Sequence, residues 1–275
     1  MSECTHDCSS CSQDCGERKQ DLHAKTNEFS HIKKVVAVSS GKGGVGKSSV
    51  TCLLAVMMAR RGYKVGVLDA DITGPSIPRA FGINQKAQGS EIGILPAETH
   101  MGIKIMSINL LLEDENQPVV WRGPVLAGAV TQFWTDVVWG ELDVLFIDMP
   151  PGTGDIPLTV YQSLPVDATV VVSTPQSLVQ MVVGKAKTMA DLLNIPVVGL
   201  VENMSYLTCP DCGKKIALFG EENGLDEAAR RMNIALLAKL PIDANVSRLC
   251  DSGEIERVVC DEIAPAVDAV EALLK

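Results

Sequence analysis

Gly41-Lys42-Gly43-Gly44-Val45-Gly46-Lys47-Ser48 meets every fixed position of G-x-x-x-x-G-K-[ST], the pattern of a loop that cradles phosphates. The apolar run Val35–Val38 precedes it and a helix-compatible run from Ser49 to Arg61 follows. Strand, loop and helix is the context this motif needs. The glycines let backbone N–H groups converge on phosphate oxygens, and the helix N-terminus adds partial positive charge. Lys47 is expected to reach the β- and γ-phosphates of ATP, and the Ser48 hydroxyl to ligate Mg²⁺. Lys42 is a second lysine inside the loop. Nucleotide binding within one subunit does not require it.

Outward from the loop, the chain reads as one large α/β domain. Its 275 residues suffice for a well-buried core, and 46% hydrophobic with 21% charged residues is ordinary globular composition. Lys64–Leu68 reads as a second buried parallel strand, ending in Asp69-Ala70-Asp71. Acidic groups at the carboxyl end of such a strand stand where ligands bind, and one could orient the attacking water. A turn or helix-capping role fits Asp69 equally well. Leu142–Asp148 is an apolar strand closed by a carboxylate, so Asp148 is expected to hold Mg²⁺ directly or through water. The Gly-rich segment Met149–Asp155 follows it, placed to reorganise near a γ-phosphate. Further strands are expected at 167–173, 196–201 and 235–240. Helices are expected near 125–138, 176–193, 222–232 and 264–275. Residues 84–120 read as two short strands with loops. Asn203, at the end of the strand 196–201, offers a donor and an acceptor to an adenine edge. Trp121, Trp134 and Trp139 fit either a place under the sheet or a partner subunit.

Charge and hydropathy exclude several functions. A formal net charge of −10 speaks against a nucleic-acid surface, which is usually basic. No apolar stretch reaches the roughly 20 residues of a membrane span. The final helix carries Lys275 as its one basic residue, unlike a membrane-surface helix. Residues 1–20 lack the apolar core of a secretory signal, which predicts a cytoplasmic protein.

The nine cysteines then suggest metal rather than disulfides. Residues 1–30 read as a flexible Cys-rich tail ahead of the 31–275 domain. Cys4, Cys8, Cys11 and Cys15 lie within twelve residues of it. Four thiolates so spaced suit one zinc or one [4Fe–4S] cluster, with bare redox-sensitive thiols as the plainer alternative. His6 and His23 could substitute as ligands. Cys209-Pro210-Asp211-Cys212-Gly213 is a knuckle: a tight turn that aims two sulfurs at one ion. Two more ligands must come from elsewhere: the tail, Cys250 and Cys260, or the knuckle of a second copy. The last is the most economical, because a two-fold axis turns two ligands into four. Cys52, Cys250 and Cys260 read as structural.

Gly41–Ser48, Asp69–Pro75, Trp121–Pro124, Asp148–Asp155, Val201–Met204 and Cys209–Cys212 together resemble the deviant Walker A ATPases, the MinD-like group. Within it the chain resembles the Mrp/ApbC-type iron–sulfur cluster carriers over residues 31–275. The four-cysteine tail resembles that of the eukaryotic cytosolic scaffold branch, although there the first gap is much longer and the last somewhat longer. The resemblance implies a mostly parallel, doubly wound P-loop NTPase sheet flanked by helices. It implies ATP hydrolysis, slow and coupled to loading or release of the cluster to apo iron–sulfur proteins. Lys42 would cross to phosphates held by the partner in a homodimer, Asp71 would position the water, and Asn203 would contact adenine. Cys209 and Cys212 of two subunits would hold one bridging [4Fe–4S] cluster. Two other readings share this core: a partitioning ATPase that binds DNA or membrane, and a zinc-linked targeting ATPase. The acidic charge opposes the first, and the absence of a long Met- and Leu-rich insertion opposes the second.

Overall fold

The computed structural model describes residues 23–275, apart from 73, 75, 113–122, 177 and 220–223. The tail cysteines Cys4, Cys8, Cys11 and Cys15, and Trp121, lie outside the described residues. Among the described residues the strands are β1 (His31–Ser39), β2 (Val65–Asp69), β3 (Gln88–Ser90), β4 (Gly93–Leu95), β5 (Ala97–Glu98), β6 (Lys104–Met106), β7 (Glu141–Asp148), β8 (Ala168–Ser173), β9 (Val197–Thr208), β10 (Lys215–Ile216) and β11 (Leu236–Pro241). The α-helices among them are α1 (Lys47–Arg60), α2 (Ile77–Ala80), α3 (Gly123–Thr135), α4 (Asp155–Ser163), α5 (Leu178–Leu192), α6 (Gly224–Arg231), α7 (Ala244–Asp251) and α8 (Ala264–Ala272).

The main sheet runs β10-β9-β8-β1-β7-β2-β6-β5, with β11 also paired to β9. Pairings among β11, β9, β8, β1, β7, β2 and β6 are parallel; β5 and β10 attach antiparallel at the ends. The uniformly apolar strands Val35–Val38 and Val144–Ile147 are buried on both faces, as parallel strands require. One core lies between the sheet and α1, α7 and α8. A second lies under α3 and α4 and holds Trp134 and Trp139, 2% and 0% exposed, and a smaller third joins α5 and α6 to β8 and β9. Both tryptophans therefore pack beneath the sheet.

The structure departs from the sequence reading in several places. The described part of residues 84–120 contains four short strands rather than two. Helix α4 was not foreseen, because Gly152, Gly154 and Pro157 mask its start. Strand β9 does not stop at Val201. It continues for twelve residues to Thr208, so Asn203 stands inside a strand rather than at its end. Pairing with β11 and β10 sustains this extension past a left-handed residue, Met204 at φ 55°. The packed chain also starts before β1. Ala24 N–H donates to Ser163 O, Trp134 Nε1 donates to Ala24 O, and Asn27 Nδ2 donates to Ile92 O. Among the described residues no helix is long and apolar enough to cross a membrane.

Candidate functional site: a phosphate cradle and a two-thiol knuckle

The loop Gly41–Lys47 joins β1 to α1 at the carboxyl edge of the sheet, where open α/β sheets bind ligands. Gly44 and Gly46 have φ of 76° and 78°, a region that costs other residues strain. At Gly46 there is a second reason for glycine: a Cβ would stand 2.2 Å from Asn203 Nδ2. That amide donates to Val45 O at 2.9 Å, tying β9 to the loop. The loop encloses a cavity of about 210 Å³ that Asp71 and Pro151 also line.

Behind the loop, charged groups converge. Lys47, 5% exposed, places Nζ 2.8 Å from Asp148 Oδ1 and 3.7 Å from Asp71 Oδ2. Ser48 Oγ donates to Asp148 Oδ2 at 2.6 Å, and Thr51 Oγ1 donates to Asp148 Oδ1 at 2.8 Å. The predicted residues Lys47, Ser48, Asp71 and Asp148 thus meet in one place. Ser48 and Asp148 supply hard oxygen donors side by side, the chemistry Mg²⁺ selects. Thr51 escaped the sequence reading; its signal was its spacing of three from Ser48, which puts both hydroxyls on one helix face. Asp69 lies beside Asp148 in the β2–β7 register. Burial, then the Asp148 charge, raises its pKa well above the ordinary 3.8. Lys42 lines the loop cavity with its neighbours, but its terminal amine is held at the rim. Its Nζ donates to Gln176 Oε1, just beyond β8.

A second cavity, of about 490 Å³, adjoins the first through Gly46 and Ser49. Its walls are apolar side chains such as Val50, Leu53, Leu240 and Val246, with Asn203, Asp243, Cys260 and Glu262 as polar groups. Its size and mixed lining suit a nucleoside. Cys260, read from sequence as structural, is one of these wall residues. Burial pushes its thiol up to about 11.

The knuckle stands at the far end of β9. Cys209 N–H donates to Lys214 O and Gly213 N–H donates to Cys209 O, both at 2.9 Å, with Gly213 at φ 70°. Cys212 is exposed and Cys209 partly so. Backbone N–H groups of Cys212 and then Asp211 lower the Cys209 thiol from its ordinary range, which favours the metal-binding thiolate. Among the described residues no group of three or more His, Cys, Asp or Glu gathers at a common metal position. Neither Cys250 nor Cys260 therefore completes the knuckle. Cys52 is buried and burial raises its thiol strongly, as befits a core residue.

A parallel sheet with a glycine loop, a buried lysine and a strand-end aspartate at its carboxyl edge defines a P-loop nucleotide-binding protein. Residues 31–275 match the family model described as "ParA: NUBPL iron-transfer P-loop NTPase". The chain belongs to that family of iron-transfer P-loop NTPases. It is 48% identical to an iron-sulfur cluster carrier protein of Clostridium perfringens, over 85% of this chain and 84% of that one. It is 45% identical to a protein of the same description from Methanocaldococcus jannaschii, over 92% and 90%. Among solved structures it resembles an Archaeoglobus fulgidus nucleotide-binding protein in complex with ADP. The TM-score is 0.76 at 47% identity, over 84% of this chain and 91% of that one. The cell division ATPase MinD of Pyrococcus furiosus shares the fold, with TM-score 0.63 at 18% identity, over 88% and 99%.

Proposed function

We propose that this protein is an ATP-hydrolysing carrier that accepts an iron–sulfur cluster as cargo and passes it to apoproteins, acting in the cytoplasm as a homodimer. The observation that carries the reading is that β9 holds Asn203 against the phosphate loop and the Cys209–Cys212 knuckle at its far end. Family membership and the named relatives support the cargo.

In this reading the loop N–H groups and Lys47 bind the ATP phosphates. Ser48 and Asp148 hold Mg²⁺, which when bound neutralises charge on the phosphates. Asp71, beside Lys47, orients the attacking water. Asn203 commits its Nδ2 to Val45 O and so offers Oδ1 to the amino group of adenine. Lys42 leaves Gln176 and reaches the nucleotide held by a second copy. Cys209 and Cys212 of each copy supply two thiolates, and the pair of copies completes a four-thiolate site for a [4Fe–4S] cluster. The four tail cysteines supply a second thiolate set.

Anaerobic reconstitution with iron and sulfide tests this. Protein lacking residues 1–22 should bind one [4Fe–4S] cluster per dimer by iron and sulfide analysis and Mössbauer spectra. The Cys209→Ala/Cys212→Ala variant of that protein should bind none. Retention of a cluster in that variant would remove the knuckle from the mechanism. Zinc without iron in the native protein would favour a targeting ATPase instead.

A further inference from the structure

Asp69 is wholly buried, at 0% exposure, yet it faces no nucleotide cavity. Its carboxyl group is instead a meeting point for three chain segments. Oδ1 accepts the backbone N–H of Asp71 at 3.2 Å. Oδ2 accepts the backbone N–H of Ile77, the first residue of α2, at 3.4 Å. Ser107 Oγ, just past β6, donates to the same Oδ2 at 3.2 Å. Asp69 itself ends β2 in register with Asp148, and Ala70 N–H donates to Asp148 O at 3.0 Å.

Two backbone N–H groups six residues apart, on either side of the segment after β2, are thus held by one side chain. That side chain is anchored in turn by the rigid strands on both flanks. Asp71 is the second residue past the strand, and its Oδ2 lies 3.7 Å from Lys47 Nζ. Besides the clasp, the backbone around Asp71 is held by the Ala70–Asp148 bond and by Gly74 N–H, which donates to Asp71 O at 3.1 Å within the same loop; of these, the clasp and the Ala70 bond tie it to the sheet. A loop group that must meet a water molecule beside a phosphate loses rate steeply for small displacements.

We propose that Asp69 is the positioning residue for Asp71: its carboxyl group ties the Asp71 and Ile77 backbone N–H groups to Ser107 and so sets where the Asp71 side chain stands. The inference rests on the reading of Asp71 as the group that orients the attacking water. Asp69 touches neither nucleotide nor water in this role, and either a charged or a neutral oxygen acceptor serves it.

The test uses full-length protein with ATP and Mg²⁺, measuring turnover and, separately, equilibrium binding of a fluorescent ATP analogue. Asp69→Ala should lower kcat by about 10–100-fold, the cost of a misplaced catalytic group, while nucleotide affinity stays within about threefold. Asp69→Asn keeps an acceptor for Asp71 N–H and, with its NH₂ facing Ser107 Oγ, loses the longer Ile77 bond. It should retain kcat within about fivefold. A purely structural role would lower the melting temperature in Asp69→Ala and leave kcat per folded molecule intact, which would overturn the proposal. An Asp69→Asn variant as inactive as Asp69→Ala would also overturn it, since the bond to Asp71 N–H that Asn keeps would then not be what places Asp71. If Asp69→Ala does not fold, Ser107→Ala decides: faster amide hydrogen exchange at Asp71 and Ile77 supports the clasp, and unchanged exchange refutes it. Asp71→Asn separates the two layers. Normal turnover there removes Asp71 from the mechanism. Lost turnover there with normal turnover in Asp69→Ala removes only the clasp.

Discussion

Lys47→Ala is expected to do more than abolish ATP binding; it should destabilise the protein in the absence of nucleotide. Lys47 and Asp148 are 5% and 1% exposed, and their charged atoms are 2.8 Å apart, with Asp71 at 3.7 Å. Removing one partner of a buried pair costs about 3–5 kcal/mol, because the remaining charge is left in a poor medium. Here Ser48 and Thr51 still donate to Asp148, so the lower end, ~3 kcal/mol, is the appropriate figure. In a domain of this size each kcal/mol moves the melting temperature by about 2–4 °C, which gives a fall of about 6–12 °C. The assay is calorimetric or circular-dichroism melting of nucleotide-free protein. A cycle with Asp148→Asn separates charge from lost volume. Asp148→Asn should restore at least half of the fall in the Lys47→Ala background. An apo melting temperature within about 2 °C of the parent would refute the reasoning. So would a double variant no more stable than Lys47→Ala.

Gly46→Ala should cost about 1–2 kcal/mol in left-handed strain alone. It should also weaken ATP binding at least about tenfold by displacing Asn203, as titration calorimetry would show; parental affinity would refute the close packing there. Burial raises the carboxyl of Glu202, 2% exposed, above its ordinary 4.5. The native state then holds this proton to higher pH than the unfolded chain, and stability is lost as pH rises through that interval. Glu202→Gln, which still accepts from Ser205 Oγ, should therefore gain stability relative to the parent between about pH 4 and pH 7; a gain that shrinks would contradict this. Cys260, with its thiol at about 11, should alkylate far more slowly than exposed Cys212 in cluster-free protein near neutral pH, and ATP should slow it further. Equal rates by mass spectrometry would remove Cys260 from the cavity wall.

The phosphate site was legible because its chemistry is local in sequence. Gly41–Ser48 is one uninterrupted stretch, Asp148 closes an apolar strand, and Asp71 stands two residues past the end of another. Thr51 was passed over: its spacing of three from Ser48 marks a shared helix face, but the sequence does not say that this face meets a strand about a hundred residues away. Cys260 is buried in the core, as a structural residue is, but its place in a cavity wall was not legible for a related reason. Which cavity its segment walls is decided by packing against α1 and β11. The length of β9 was misjudged because Glu202-Asn203-Met204 breaks the apolar run that marks a parallel strand. Pairing partners on both sides, not the residues themselves, keep that stretch extended. The knuckle was legible as a turn from its spacing alone.

The twelve residues of β9 bear on how such chains can vary. Asn203 lies on β9 and Cys209 directly follows its last residue, six residues on, about 20 Å at the usual rise. Side chains alternate faces along a strand, so a single inserted or deleted residue between them would turn the knuckle to the opposite side of the sheet. Neither the phosphate loop nor the knuckle constrains the stretch Met204–Thr208 on its own account. Their shared strand does, and it makes the count of residues there as binding a requirement as their identity. Substitutions in that stretch should be tolerated where changes of length are not.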